Sequence, residues 1–161
     1  MYILMPTCDS HARIAEISAR LLARYWPGHS PLHVLHYAVK PNIAGAVLHN
    51  WGPPDRSPWL ATITRFLRAR TEGLFLLLLD DYGLCGPARA DLIASAAELM
   101  RRGESIGLFP LCWYPSARRV PEATAPGVVS LGGAPLLLQA AIWRRSWFLE
   151  LADTMDPNTS P

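Results

Sequence analysis

The stretch LFLLLLDDYGL, residues 74–84, decides how the rest of the chain is read. The run from Leu74 to Leu79 has no polar position. Successive side chains of a β-strand point to opposite sides. A strand built from this run therefore buries both faces, which requires helices on either side of a largely parallel sheet. The run is far shorter than the roughly 20 apolar residues that cross a bilayer. It delivers two adjacent carboxylates, Asp80 and Asp81, to one point.

On either side, strands and helices alternate. Tyr2 to Met5, closed by Pro6, predicts a buried first strand. A helical pattern follows. Ile14, Ile17, Leu21, Leu22 and Tyr25 are expected on its inner face and Arg13, Glu16, Arg20 and Arg24 on its outer face. Asp9 or Ser10 suits its N-terminus and Pro27-Gly28 its end. Leu32 to Val39 predicts a second strand, and Asn42 to Pro54 a loop. Ser57-Pro58 opens the next helix, whose apolar stripe is Trp59, Leu60, Ile63, Phe66 and Leu67.

Beyond the central strand, Pro87 to Arg102 predicts a helix with Leu92, Ile93, Ala96, Leu99 and Met100 inward. Gly103 would supply its left-handed cap. Ile106 to Leu111 and Val128 to Leu131 predict strands, separated by a proline-rich loop. Leu136 to Trp143 and Ser146 to Asp153 predict helix, broken near Arg144-Arg145. The expected class is α/β: a single open, mostly parallel sheet with helices on both faces, in one domain spanning residues 1–161. Ligands of such sheets bind beyond the carboxyl ends of the strands. That places TCDS, residues 7–10, and DDYGL, residues 80–84, on one rim.

Composition narrows the classes. Half of the 161 residues are apolar and 17% are charged, which describes a core-rich globular protein. A net charge of +2 gives no electrostatic case for nucleic acid as a partner. The three cysteines, Cys8, Cys85 and Cys112, have no metal-site spacing and fit reduced thiols in a cytoplasmic protein. The N-terminus lacks the basic start of a signal peptide, and no transmembrane segment is expected. Peripheral membrane contact stays compatible with the sequence. No Gly-Lys-Ser phosphate loop and no Gly-x-Gly-x-x-Gly after the first strand is present, which argues against P-loop enzymes and dinucleotide dehydrogenases.

A carboxylate at a strand end can cap the next helix, pair with a base or hold a hard cation. Pro87, not Asp81, is expected to open the following helix, which weakens the capping role. Neighbouring carboxylates repel by about a kcal/mol or more when partly buried. A divalent cation reverses that, and Mg²⁺ or Mn²⁺ commonly joins one or two carboxylates to substrate phosphates. The residues alone leave these uses open.

The motif LLLLDDYGL resembles the aspartate motif of nucleotide-sugar-dependent glycosyltransferases of the GT-A fold. YILMPTCDSHARI, residues 2–14, LLARYWPG, residues 21–28, and LLLQAAIWRRSWFLELAD, residues 136–153, resemble successive segments of one bacterial group among them. The chain departs from the pattern at Leu79, where a spaced Asp-x-Asp would have its first Asp, and at Leu137, where Ser is usual. The group's pattern also continues past the segment that ends here at Pro161, so the resemblance implies a chain shortened at its C-terminus.

The activity this resemblance implies is transfer of a sugar from a nucleoside diphosphate sugar to a glycan or other hydroxyl acceptor, as in polysaccharide biosynthesis. Mn²⁺ or Mg²⁺ is the implied cofactor, with Asp81 in direct contact and Asp80 reaching the metal or the ribose. Thr7, Cys8 and Asp9 would line the nucleoside pocket. Gln139 and Trp143 are the candidates for sugar contact, the first through hydrogen bonds and the second by stacking. Both lie in an apolar helical pattern, whose plainer reading is a core Trp and a helix-surface Gln. The acceptor needs a general base, and no residue is singled out for it. The alternative is a domain that binds a nucleotide or nucleotide sugar without turnover.

Other residues have plainer expectations. His33 and His36 should point to opposite faces of their strand, and His11 and His49 have no ligand spacing. Cys8 reads as a small apolar filler. Arg65, Arg68 and Arg70 read as a solvated helix face, Arg118-Arg119 as solvated loop, and Arg144-Arg145 as charge at a helix end.

Overall fold

A computed structural model describes residues 1–53, 59–103, 105–111 and 140–155. Among the described residues six strands form one sheet: β1 (Tyr2–Pro6), β2 (Leu32–His36), β3 (Val47–Asn50), β4 (Leu74–Leu77), β5 (Leu108–Pro110) and β6 (Ala141–Arg144). Their order is β3-β2-β1-β4-β6-β5. The first four are mutually parallel, and β6 runs antiparallel to both of its neighbours. Four α-helices cover the sheet: α1 (Ala12–Tyr25), α2 (Trp59–Arg68), α3 (Ala90–Arg102) and α4 (Arg145–Thr154). Among the described residues no helix is long and apolar enough to cross a membrane.

The expected central strand lies fourth in the sheet, with Leu74 to Leu77 buried throughout. Its two faces feed different cores. Phe75 and Leu77 join Tyr2, Leu4 and Leu35 beneath Leu60, Ile63, Phe66 and Leu67 of α2 and Phe148 of α4. Leu76 joins Ile3, Met5 and Val34 against Ala15, Ala19 and Leu22 of α1. Leu74 and Ile142 pack with Ala96, Ala97 and Met100 of α3. Alternation of side chains along β1, β2 and β4 thus fills both layers at once.

The inner face of α1 is not the expected one. Ala12, Ala15, Ser18, Ala19 and Leu22 point inward, while Ile14 and Ile17 are exposed. Small side chains let the helix axis approach the sheet closely. The isoleucine stripe is rotated to the flank. On α3, Ala96 and Met100 are buried as expected, but Leu92 is exposed.

The segment expected to be loop, 42–54, contains the edge strand β3, which pairs with β2 from His33↔Val47 to His36↔Asn50. The predicted helix over 136–143 is corrected at its C-terminal end, where Ala141 to Arg144 is strand β6, while residues 136–139 lie outside the described residues. Ile142 enters the α3 core and Ala141 and Trp143 the opposite one. A strand buried on both faces carries no alternation to separate it from buried helix. The break expected near Arg144-Arg145 is real: it is the junction of β6 and α4. The strand predicted over 128–131 and the helix opening at Ser57-Pro58 lie outside the described residues.

Gly103 does not cap α3 in a left-handed conformation, since its φ is −105°. Instead, the Arg144 guanidinium donates to the carbonyl oxygens of Met100, Gly103 (2.8 Å) and Ile106 (3.2 Å). It satisfies the free carbonyls at the end of α3 and complements the negative end of the helix dipole. Arg144 is thus helix-end charge, but for α3 rather than for the helix that follows it. Gly107 is required for a different reason. A Cβ there would lie 1.7 Å from the Trp147 ring.

Replacing Ala15 by Leu should push α1 off Ile3 and Val34 and cost about 1–3 kcal/mol, read as a lowered urea midpoint. Ile17→Ser, on the flank, should stay within about 0.5 kcal/mol of the parent.

Candidate functional site

The carboxyl ends of β1 and β4 are neighbours, and the two motifs meet there. Pairing runs past the strands proper: Thr7 N–H donates to Leu35 O (2.9 Å) and Leu78 N–H to Leu4 O (3.0 Å). The chain then turns sharply, Tyr82 N–H closing onto Leu79 O at 3.1 Å. Asp80 and Asp81 are the two central residues of that turn. Adjacent positions in a turn cannot share one direction, and the two carboxylates separate. Asp80 is buried, with 7% of its surface exposed, whereas Asp81 faces solvent.

The side chain of Asp80 is held from two sides. The buried Thr7 hydroxyl donates to Oδ2 at 2.5 Å, and His11 Nδ1 lies 3.4 Å from Oδ1. Its backbone carbonyl accepts from the Ser18 hydroxyl of α1 at 2.5 Å. Asp80 therefore ties the first loop, the first helix and the end of β4 into one unit. An ionised carboxylate has about four acceptor positions, so two such contacts leave lone pairs free.

The first loop is anchored separately to the turn after β2. Asp9 Oδ1 accepts from the Val39 N–H at 2.8 Å. Glu16 of α1 accepts from the Asn42 N–H at 2.9 Å and from Arg13 at 2.6 Å. These bonds, the backbone one first, hold its carboxyl below the usual range. Cys8 is exposed, with Sγ 3.1 Å from Ser10 Oγ, so it is not the apolar filler the sequence suggested. Residues 9–11 form a single 3-10 turn leading into α1.

Thr7, Cys8, Asp9, Asp80 and Asp81 are thus brought together at one rim. Trp143 is not with them. It pairs with Phe75 near the start of β4, only 2% of its surface is exposed, and its ring packs edge-on against Phe148 at 5.0 Å. No face of the indole is open for a sugar to stack on, because both sides of β6 are core. Gln139 and Arg118-Arg119 lie outside the described residues.

The sequence reading missed the partners of Asp80. Ser18 gave one signal, a hydroxyl within an otherwise alanine-lined helix face. His11 gave only its proximity to the loop. The arginines at 65, 68 and 70 are also more than a solvated face. Arg65 stacks on Trp51 at 4.2 Å, Arg68 pairs with Asp153 of α4 at 2.5 Å, and Arg70 lies over Phe66 at 4.5 Å.

Among the described residues no group of three or more His, Cys, Asp or Glu side chains is gathered to hold a metal. The rim offers one exposed carboxylate and one anchored beside it. That donor set fits a hard cation such as Mg²⁺ or Mn²⁺, which takes one or two carboxylates and completes its shell with water and substrate phosphates.

No protein-family model matches the chain, and no curated protein does. Solved structures share its fold. The 2-C-methyl-D-erythritol 4-phosphate cytidylyltransferase from Thermus thermophilus is 19% identical, with 95% of this chain and 74% of that one aligned at a TM-score of 0.56. The CMP:2-keto-3-deoxy-manno-octonic acid synthetase, solved with CTP, is 9% identical over 96% of this chain and 78% of its own, at 0.55. An active-site mutant of the glycosyltransferase LgtC is 13% identical over 93% of this chain and 59% of its own, at 0.50. At such identities the likeness is one of fold. The fold is the expected GT-A-like one.

Thr7→Val keeps the shape of a buried side chain and removes the hydroxyl that Asp80 accepts. It should cost about 2 kcal/mol, seen in chemical denaturation. Ser18→Ala should cost about 1 kcal/mol.

Proposed function

We propose that this chain is the nucleotide-sugar-binding domain of a metal-assisted glycosyltransferase. The observation that carries the reading is the Asp80–Asp81 turn, set at the carboxyl edge of the sheet beside the loop of Thr7 to Asp9. The shared fold of nucleotide-using transferases supports it.

In this reading Asp80 positions. Clamped by Thr7 and Ser18, it fixes the turn and so sets where Asp81 stands. Asp81 is the exposed oxygen ligand for Mn²⁺ or Mg²⁺. When bound, the cation supplies Lewis-acid stabilisation of the charge that develops on the departing diphosphate. Thr7, Cys8 and Asp9 border the nucleoside, with backbone groups of the loop meeting base and ribose. The Asp9 carboxylate, already bonded to the Val39 N–H, keeps the loop at a fixed height above the sheet. The acceptor is a glycan or other hydroxyl compound, and the chain works in the cytoplasm.

The engagement of Asp80 with Thr7 and His11 favours a second reading, a domain that binds a nucleotide sugar without transfer. One assay separates the two. The protein is incubated with a panel of nucleotide sugars and with CTP, each with candidate hydroxyl and sugar-acid or phosphate acceptors, in Mn²⁺ or in chelator. Binding, nucleoside diphosphate release and pyrophosphate release are measured. Metal-dependent binding with nucleoside diphosphate release supports the transferase. Metal-dependent binding with neither product selects the binding domain, and pyrophosphate release from CTP selects nucleotidyl transfer. Because Asp81 is exposed, Asp81→Ala should fold normally and lose at least about tenfold in metal-dependent affinity, or about 1.4 kcal/mol. Unchanged affinity would place the site elsewhere.

A further inference from the structure

The edge strand β3 is held to the sheet by one backbone ladder, to β2, and among the described residues has no strand on its other side. Leu48 packs against the α1-side core, and His49 is the strand's inward side chain on the opposite face. On β2 the diagonal neighbour is His33, two positions away in register, and both point toward α2. The rings are nearly parallel, with centroids 5.3 Å apart, and His33 Nδ1 is 3.0 Å from His49 Nε2. A guanidinium nitrogen of Arg70, from the connection after α2, lies 3.4 Å from the same Nδ1.

The protons can be placed from this geometry. A guanidinium has only donors, so His33 Nδ1 is the acceptor. His49 Nε2–H donates into its single lone pair at 3.0 Å, with the Arg70 guanidinium a longer, secondary donor at 3.4 Å. His33 is then neutral, and His49 carries a proton on Nε2. The same arrangement disfavours a metal ion between the two nitrogens, because a fixed positive charge already sits there. Around the pair stand the Tyr2 ring of β1 and the Phe66 ring of α2, 5.2 Å and 5.7 Å from His33, with Phe66 4.9 Å from His49. Glu72 lies on the same connection as Arg70 and is the one acidic group acting on His33, while His36 of β2 acts on His49.

We propose that the His33–His49 pair is an acid-sensitive latch: neutral, it fastens β3 to the sheet, and protonated, it releases that strand. A proton on His33 Nδ1 removes the acceptor and faces both Arg70 and His49. A second proton, on His49, sets like charges 3.0 Å apart. Burial and then Arg70 hold both imidazoles below their ordinary value of 6.5, with Glu72 partly offsetting this at His33. The neutral form is thus favoured in the folded chain. The stabilisation is complete above the ordinary imidazole value and is lost as pH falls below it toward the depressed folded values. Release extends past the strand. Trp51 N–H donates to His36 O at 2.9 Å, and Asn50 Nδ2 donates to Tyr37 O at 3.1 Å. The turn that follows carries the Val39 N–H held by Asp9.

Amide exchange of the full chain, corrected for intrinsic rates, tests this without any ligand. Between pH 7.5 and pH 5.5, protection of the β3 amides from Val47 to Asn50 should fall roughly tenfold more than that of Leu4 and Leu76. His49→Phe, which keeps a ring against Phe66 but takes no proton, should remove the extra fall. Arg70→Gln should reduce it, because the native imidazoles then titrate closer to the unfolded ones. An equal fall across all strands in the parent, or an unaltered extra fall in both variants, overturns the latch. If neither variant folds, imidazole titration of the parent by NMR decides: midpoints of His33 and His49 below 6.5 support the latch and midpoints at or above it overturn it.

Discussion

A strand with no polar face has to be covered twice, and β4 is such a strand. Phe75 and Leu77 need a layer on one side and Leu74 and Leu76 on the other. Helices α2 and α4 supply the first, and α1 and α3 the second. Once both layers exist, the backbone of β4 meets solvent only at its ends, Thr71 to Gly73 before it and the aspartate turn after it. The two aspartates stand at one of those ends because no point along the covered strand could hold a charge at tolerable cost.

That burial also explains why the two carboxylates differ. Asp80 is the first residue past the covered run and remains under the first loop, where Thr7, His11 and Ser18 compensate its desolvation. Asp81, one position further along the turn, is free of the shell. Sequence proximity suggested a pair acting together, whereas the turn makes one a structural anchor and leaves the other open to solvent. The same division appears among the arginines. Arg144 is consumed by carbonyl groups at the end of α3, and Arg70 by the rings around His33. Only a folded chain shows which charges are spent internally.

Where periodicity failed, it failed for identifiable reasons. The inner face of α1 was read from its largest apolar residues, but close helix–sheet approach selected alanines and a serine. Strand β6 was read as helix because both its faces are core, which erases the alternation that would mark it. Strand β3 was missed because VLHN, residues 47–50, is short, and its neighbours Gly45, Gly52 and Pro53 signal loop. Trp143 followed the β6 error. Stacking on a sugar needs a free ring face, which a doubly covered strand does not leave, so the sheet selects the core packing that was the plainer reading of this residue.

The sequence by itself determined the α/β class, the central buried strand, the helices over 59–68 and 145–154 in outline, and the rim where TCDS and DDYGL converge. These follow from local rules: an all-apolar run, helical spacing and the alternation of elements. Tertiary structure decided the reversed strand β6, the anchoring of Asp80 by residues 62 and 73 positions away, and the meeting of His33 with His49 and Arg70. Those contacts join segments whose distance along the chain carries no periodic signal, and only the sheet order β3-β2-β1-β4-β6-β5 brings them within hydrogen-bond reach.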